Sequence, residues 1–282
     1  MWVVNPTAPG YVAPASHWEW EFIMKRRDLV AGMAILPLVP WGAGTLGSAL
    51  AQDGETKVDG DTIETSAGPL TIHPVDHASL VLAFGDAVIY VDPVGGAARY
   101  EGLPAPTAVL VTHGHGDHFD VPTLDAIAAG VPILTSQEVF DKLPPALQGN
   151  AKAIANGEQT TFAGLPLKAI PAHNITADRM NYHPVGVGNG YLLTFGDKVV
   201  YVAGDTEPTP EMLALSGIAV AFLPMNLPYT MTVEQAAEAV NTFKPAIVYP
   251  YHYGDSDLDA FEAGVTAEGV EVRRRDWYAK SA

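Results

Sequence analysis

A short segment with four potential metal ligands restricts this chain more than any other feature of its sequence. It reads Thr-His-Gly-His-Gly-Asp-His over residues 112–118, and it directly follows the apolar run at residues 108–111. Imidazole and carboxylate groups are suitable ligands for zinc and related metals, and the interspersed glycines would let the backbone turn tightly around an ion. A tetrahedral ion takes four ligands. Once ligands from elsewhere in the chain are added, four on this loop are more than a single ion needs. The spacing therefore predicts a site for two ions at the end of a buried strand, rather than a polar surface loop.

The composition limits what else such a site can contain. The chain has no cysteine, so the remaining ligands must be histidine or carboxylate. Its 282 residues are 48% hydrophobic, which is enough for a sizeable core. The net charge of −17 disfavours binding to nucleic acid or to an anionic membrane. We therefore expect a small-molecule substrate, while the oligomeric state is not readable from the sequence.

The first part of the chain has the pattern of an export signal. Lys25, Arg26 and Arg27 precede an uncharged run over residues 29–52, which contains the small-x-small pattern Ala-Leu-Ala at residues 49–51. The paired arginines resemble a twin-arginine signal. An uncleaved membrane anchor is the alternative, and translation could also begin at Met24. We expect residues 1–51 to be an N-terminal extension with a signal peptide, residues 52–282 to be one domain, and the protein to be periplasmic or secreted.

A repeated segment indicates how that domain is organised. Residues 82–91 recur as residues 193–202, and each copy reads as a strand, a Gly-Asp turn and a second strand. Helices are predicted at residues 122–129, 233–243 and 258–267, the second capped by Thr232. Strands that alternate with helices predict an α/β layered domain. The repeat favours two similar halves over a chance likeness between hairpins.

The motifs, in their order along the chain, resemble the metallo-β-lactamase superfamily. The likeness covers about residues 70–276 and is greatest to the ascorbate-6-phosphate-lactonase-like group of metal-dependent hydrolases. It implies a four-layer αβ/βα sandwich of two similar halves, with metals where strand ends from both halves meet. The stretches that carry it are His77-Ala78-Ser79, Val91-Asp92-Pro93, the histidine segment, Pro171-Ala172-His173-Asn174, Ala203-Gly204-Asp205-Thr206-Glu207 and Pro250-Tyr251-His252-Tyr253-Gly254.

The resemblance also implies a ligand set for two divalent ions, with Zn²⁺ favoured over Mn²⁺ or Fe²⁺. The ligands expected for the first ion are His113, His115 and His173. Those expected for the second ion are Asp117, His118 and His252, and Asp205 is expected to bridge the two ions.

Several further residues are predicted to surround the metals. Asp92 would support the histidine segment from the second shell, unless it only forms an Asp-Pro turn. His77 and His183 are expected to line the pocket, His77 as a second-shell residue. By the offset of the repeat, the loop after residues 219–223 is the counterpart of the histidine segment. Its candidates for contact with substrate are Asn226, Tyr229 and Thr230.

These predictions define a hydrolase that works by attack of a metal-bridging hydroxide, with Asp117 orienting the nucleophile or carrying a proton. A lactone or carboxylic ester is the favoured substrate, since Arg179 is the one cation on the loops expected around the site. The alternatives are a phosphodiester hydrolase of the phospholipase D type and a non-catalytic metal-dependent binding or sensing module.

Overall fold

The computed structural model describes residues 60–278, and a seven-stranded sheet forms their first half. Its strands are β1 (Asp61–Thr65), β2 (Gly68–Asp76), β3 (Ser79–Phe84), β4 (Ala87–Val91), β5 (Ala108–Val111), β6 (Ile133–Thr135) and β7 (Ala151–Ala153). They lie side by side in chain order. Neighbours from β1 to β4 pair antiparallel, and neighbours from β4 to β7 pair parallel.

A second seven-stranded sheet repeats this arrangement. Its strands are β8 (Gln159–Phe162), β9 (Leu165–Ala172), β10 (Gly188–Phe195), β11 (Lys198–Val202), β12 (Ile218–Pro224), β13 (Ile247–Tyr251) and β14 (Glu271–Val272). They also lie in chain order, antiparallel from β8 to β11 and parallel from β11 to β14. The two sheets therefore have the same topology, as the repeat predicts.

The repeated segment forms the equivalent hairpin in each sheet. Phe84 pairs with Ala87 across the first turn, and Phe195 pairs with Lys198 across the second. Each two-residue turn begins with a glycine in the left-handed region, at φ 54° in the first and 58° in the second. Gly-Asp turns of this kind match the twist of the strands that they join. The hairpin prediction is confirmed in both halves.

Short helices follow the strands. They are α1 (Val121–Ile127), α2 (Gln137–Lys142), α3 (Pro145–Gln148), α4 (Pro210–Leu213), α5 (Val233–Phe243) and α6 (Leu258–Gly264). Helix α5 has the predicted bounds and a capping box between Thr232 and Gln235. Helix α6 ends three residues earlier than predicted, because the Asn241 side chain accepts hydrogen bonds from the backbone N–H groups of Thr266 and Ala267.

The sheets pack face to face between two layers of helices. Alternate side chains of a strand point to opposite faces of the sheet and therefore pack into different layers. In β5, Leu110 belongs to the core between the sheets, whereas Val109 packs with Leu124 of α1. In β11, Val200 faces the core between the sheets, and Tyr201 packs on the side of α5. The predicted αβ/βα sandwich is confirmed.

The predicted signal segment, residues 1–51, lies outside the described residues. Within residues 60–278, no helix combines the length and apolar character needed to cross a bilayer.

Candidate metal centre

The loops that carry the predicted ligands leave the carboxyl ends of strands in both sheets. In the first sheet, Asp92 follows β4 and the histidine segment follows β5. In the second, Asp205 lies three residues beyond β11, and His252 directly follows β13. Parallel strands that end at one edge present their loops together. The edge shared by the two sheets therefore collects ligands from distant parts of the sequence.

One group of potential ligands consists of His113, His115, His183 and Asp205, whose ligand atoms all lie within 4.8 Å of one another. His183 Nε2 lies 3.2 Å from Asp205 Oδ2 and 3.2 Å from His115 Nδ1. His113 Nε2 lies 3.0 Å from His115 Nδ1. All of these residues except His115 are buried. Three imidazoles and one carboxylate are a suitable set for a divalent ion.

A second group consists of His77, Asp117, His118 and His252, again with ligand atoms within 4.8 Å of one another. Asp117 Oδ2 lies 3.1 Å from His77 Nε2 and 3.4 Å from His252 Nε2. His118 and His252 are buried, whereas Asp117 is exposed to solvent. The structure thus brings His77, which was expected only as a second-shell residue, among the potential ligands.

Asp205 contacts both groups. Its Oδ2 atom lies 3.2 Å from Nε2 of His183 in the first group and 3.2 Å from Nε2 of His252 in the second. Its Oδ1 atom lies 3.2 Å from Nε2 of His118. The carboxylate therefore stands between the two groups, where a shared ligand of two ions would have to be.

His173, the predicted ligand of the first ion, belongs to neither group of potential ligands. The His173 Nδ1 atom lies 3.0 Å from the carbonyl oxygen of Asn174, and its backbone N–H donates to Thr206 Oγ1. His183, from the same loop, is the residue that lies among the potential ligands. The reason is the path of the loop: the Asn174 N–H donates to the His183 carbonyl at 2.9 Å, so residue 183 returns beside the end of β9.

The Asp92 carboxylate holds the histidine segment in place. Asp92 is fully buried, and its carboxylate accepts hydrogen bonds from the backbone N–H and the hydroxyl of Thr112, both at 2.7 Å. Its Oδ2 atom also lies 2.7 Å from Nδ1 of His118. This contact fixes the ring so that Nε2 faces the site, as outer carboxylates do for metal-binding histidines.

The backbone at the site adopts conformations that non-glycine residues seldom use. His77, Asp92 and His252 have φ angles of 50°, 44° and 46°. Such conformations cost free energy and persist where surrounding contacts enforce them. One of these contacts joins the sheets, because the His252 N–H donates to the carbonyl of His77 at 2.8 Å. By contrast, Gly114 and Gly116 are not among the glycines with positive φ, so the expected glycine turn is not what shapes the histidine segment.

Several potential ligand atoms are buried without a hydrogen bond, and this indicates that the site fits a metal ion. Among residues 60–278, His118 Nε2, Asp205 Oδ1 and His252 Nε2 are buried and make no hydrogen bond. Buried polar atoms without partners are costly, and groups of them at one point indicate a missing ligand. His118 Nε2 lies 3.2 Å from Asp205 Oδ1, and His252 Nε2 lies 3.2 Å from Asp205 Oδ2, so the three atoms lie close together.

The electrostatics of the site favour positive charge. Burial opposes protonation of His118, but the carboxylates of Asp205 and Asp92 hold its pKa well above the usual range. In the same way, Asp205 and Asp117 outweigh burial and raise the pKa of His252 to about 9. Burial likewise opposes ionisation of Asp205, yet the His252 and His118 rings keep its pKa well below the usual range. The second group therefore attracts cations, whether protons or metal ions.

The first group behaves differently. Burial lowers the pKa of His113 well below the usual range, and the neighbouring His118 ring adds to this shift. Burial and the nearby His183 ring also lower the pKa of His115. Neutral imidazoles are the form that binds metal, so these two rings are ready to act as ligands near neutral pH.

The loop after β12 lies beside the metal groups. Asn226 and Tyr229 line a cavity of about 270 Å³ together with Asp117, Asp205 and His252, and we call this cavity the metal pocket. Thr230 has a different place. It is fully buried, and its hydroxyl accepts a hydrogen bond from the Asn226 N–H, so it shapes the loop.

A buried ion pair anchors the loop that carries His183. The Glu207 carboxylate accepts hydrogen bonds from the backbone N–H groups of Ile175 and Thr176 and pairs with Arg179. Arg179 also donates to the carbonyl of Thr230 at 2.8 Å, and its side chain is only 12% exposed. The one cation of these loops therefore serves to join them.

Sequence reasoning missed two residues at the site. Glu207 lies in a motif that the sequence offered, but its anchoring role depends on a loop more than thirty residues earlier in the chain. Tyr278 carries no sequence signal. Its hydroxyl lies 2.9 Å from Nδ1 of His77 and accepts a hydrogen bond from the Gly254 N–H.

Comparisons with known proteins identify the family of this chain. A sequence profile of the beta-lactamase superfamily domain matches residues 87–253. A UPF0173 metal-dependent hydrolase from Deinococcus radiodurans is 31% identical over 227 residues, which cover 73% of this chain and 96% of the relative. The crystal structure of a metal-dependent hydrolase from Parabacteroides distasonis has a TM-score of 0.71 at 41% identity, covering 77% of this chain and 98% of that one. Igni18, a metallo hydrolase from Ignicoccus hospitalis, has a TM-score of 0.61 at 24% identity, covers 73% of this chain and 94% of its own, and shows the fold alone.

Two sheets in an αβ/βα sandwich, with histidine and aspartate groups at their common edge, define a metal-dependent hydrolase of the metallo-β-lactamase fold. The chain belongs to the beta-lactamase superfamily and, within it, to the UPF0173 family of metal-dependent hydrolases.

Proposed function

We propose that this hydrolase uses two divalent ions, with zinc favoured over manganese and iron, and that it cleaves lactones or other carboxylic esters. The position of Asp205 carries the dinuclear part of the proposal, because its two oxygens contact histidines of both ligand groups. His113, His115 and His183 would hold one ion, and Asp117, His118 and His252 would hold the other, with His77 beside it. When bound, the ions would polarise the substrate carbonyl and bring the pKa of a bound water close to neutrality.

Asp117 is the chain's own candidate for positioning the attacking water. It lines the metal pocket, and its side chain is 49% exposed. Burial acts to raise its pKa, but the rings of His252 and His77 outweigh this and hold the pKa far below the usual range. The carboxylate therefore stays ionised at neutral pH. This supports a role in orienting water by accepting its hydrogen bond, rather than in carrying a proton.

The choice of a carboxylic ester over a phosphodiester rests on the charges around the pocket. A phosphodiester keeps an extra anionic oxygen, which enzymes usually hold with cations. Among the described residues, neither cavity beside the metal groups has a lysine or arginine in its lining. Arg179 is engaged with Glu207. The amide of Asn226 is a neutral donor suited to a carbonyl or ester oxygen.

The test compares both substrate classes on the same metal-loaded protein. We expect lactones and aryl carboxylic esters to be hydrolysed with a higher kcat/KM than bis-aryl phosphodiesters, and metal-free protein to be inactive on both. Arg179→Ala is expected to lower all rates, because it loosens the His183 loop, but to keep the ratio between the classes. Lys142→Ala, which removes an exposed cation near Gly114, is the matched control.

Two results would overturn the proposal. If phosphodiesters are the better substrates and Arg179→Ala removes that advantage, the ester assignment fails. If elemental analysis of the saturated protein finds one ion per chain, the dinuclear assignment fails.

A further inference from the structure

A second cavity adjoins the metal pocket. It also has a volume of about 270 Å³, and we call it the side pocket. The two cavities share His115, Tyr182 and His183, so a molecule whose reacting group lies in the metal pocket can extend towards the side pocket. Beyond the histidines, the wall of the side pocket has two polar side chains, Glu138 and Asn181, and is otherwise formed by Ala172, Tyr182, Pro184, Val187 and Gly188.

The one acidic side chain in this lining restricts what can enter. Glu138 accepts a hydrogen bond from the Gly114 N–H at 3.1 Å and pairs with Lys142, which does not line the cavity. A carboxylate or phosphate in the side pocket would lie near the Glu138 carboxylate without a free cation to balance it. The lining therefore accepts a neutral group and disfavours an anionic one.

The surface around the two cavities is also apolar. The exposed large hydrophobic residues among the described ones all lie on the two loops that flank the site: Ile175, Met180, Tyr182, Val185, Leu227 and Tyr229. The rings of Tyr182 and Tyr229 meet edge to face at 5.1 Å and join the loops. Exposed apolar groups that are collected at one place mark a binding surface. Here they surround the entrance to a pocket whose wall beyond the histidines is largely apolar, apart from Glu138 and Asn181.

We propose that the side pocket binds an uncharged hydrocarbon portion of the substrate, either an acyl chain of several methylenes or one aromatic ring. This deepens the proposed ester hydrolysis and rests on it for the reaction, since the ester group would lie in the metal pocket. The cavity has the volume of roughly nine water molecules at ~30 Å³ each, which suits a short chain or a ring. Tyr182 and Val187 are the side chains that would contact it. The substrates are therefore neutral, amphiphilic esters or lactones.

A homologous series of esters tests the proposal by chain length. With metal-loaded protein and 4-nitrophenyl esters from acetate to octanoate below their micelle-forming concentrations, kcat/KM should rise about fourfold for each methylene that enters the pocket. It should then level off once the pocket is filled. A series that is hydrolysed with no dependence on chain length, or that falls from acetate onward, would overturn the side pocket.

A matched pair of variants locates the effect. Val187→Trp fills the side pocket, so the rise should stop at shorter chains while acetate is still hydrolysed. Thr160→Trp introduces the same ring at another β-branched residue, which is exposed on β8 and lines neither cavity. It should leave the chain-length profile as in the wild type. If Val185→Trp, on the exposed apolar surface, moves the profile and Val187→Trp does not, that surface binds the chain and the proposal fails.

A binding measurement separates this proposal from the proposed reaction. Neutral n-alkyl amides, from acetamide to octanamide, are titrated calorimetrically into the same protein. We expect the Kd to fall about fourfold per methylene, with a negative heat-capacity change from burial of apolar surface and a loss of this trend in Val187→Trp. Amide binding without ester turnover would reject the reaction and keep the pocket. Ester turnover with no length dependence in either series would reject the pocket and keep the reaction.

Discussion

Metal binding at pH 7 should release about two protons per chain from histidine side chains, in addition to the proton of a metal-bound water that ionises, and the structure identifies which histidines lose them. The pKa of His118 is held well above the usual range and that of His252 is raised to about 9, so both rings carry a second proton in the metal-free protein. A bound metal needs the neutral ring, and each proton must leave. His113 and His115 release none, because their pKa values are lowered. Asp205 is already ionised.

The sign and size of the pH dependence follow from this count. Because the folded pKa values are raised, protons compete with metal below about pH 9, the pKa of His252. Each released proton changes the apparent metal affinity about tenfold per pH unit. Two protons therefore change it roughly a hundredfold per pH unit, or about 2.7 kcal/mol in binding free energy. The loss on acidification should be greatest for the ion bound by His118 and His252. At pH 6 the protein should therefore retain fewer ions than at pH 8 when the free metal concentration is fixed.

Calorimetric titration of metal-free protein with Zn²⁺, in two buffers of equal pH but different ionisation enthalpy, counts the protons. Asp92→Asn removes one of the carboxylates that hold the proton on His118, so the release should fall towards one. Asp197→Asn is the control, since Asp197 is an exposed carboxylate in the hairpin turn between β10 and β11 and its substitution should leave the count at two. Release of fewer than one proton by the wild type would show that His118 and His252 are not protonated in the metal-free protein.

Asp205→Ala should lose bound metal and reduce kcat/KM by more than about 100-fold, which is the largest effect expected from residues that only support the ligands. Elemental analysis measures the metal content, and turnover measures the rate. Retention of two ions would contradict the bridging position of Asp205. Tyr278→Phe should lower kcat/KM roughly tenfold, because it removes the contact between the Tyr278 hydroxyl and His77 Nδ1 that orients this ring. It should also lower the thermal stability slightly, since the Gly254 N–H loses its hydrogen-bond acceptor. Rates equal to the wild type would contradict the role in orienting His77. We propose export by the twin-arginine route, so replacing Arg26 and Arg27 by lysine should leave precursor in the cytoplasm on cell fractionation, and unchanged export would indicate another signal or an anchor.

The sequence by itself determined the hairpins, helix starts and strand ends that depend only on residues close together along the chain. The Gly-Asp turn specifies both hairpins, because it needs only a left-handed glycine between two apolar runs. The capping box of Thr232 and Gln235 fixes where α5 begins. The histidine segment follows a buried strand, so its place at the end of that strand could be predicted. The repeat predicted that the domain has a second, similar half.

What only the tertiary structure decided is which side chains meet. The sequence places His173 and His183 on one loop, and the family resemblance favoured His173 as the metal ligand. The hydrogen bond from the Asn174 N–H to the His183 carbonyl folds the loop back and brings His183 to Asp205. Similarly, His77 reaches the second ligand group through its bond to the His252 backbone, far away in the sequence.

The same reason applies to the residues around the ligands. Thr230 could be predicted to lie on a loop near the site, but its hydroxyl binds the Asn226 backbone and cannot face a substrate. Tyr278 meets His77 only because the segment after β14 crosses to the first sheet. Motif spacing encodes which residues can bind a metal. The path of the loops between the strands, which depends on contacts between residues distant in sequence, decides which of them do and what lies beside them.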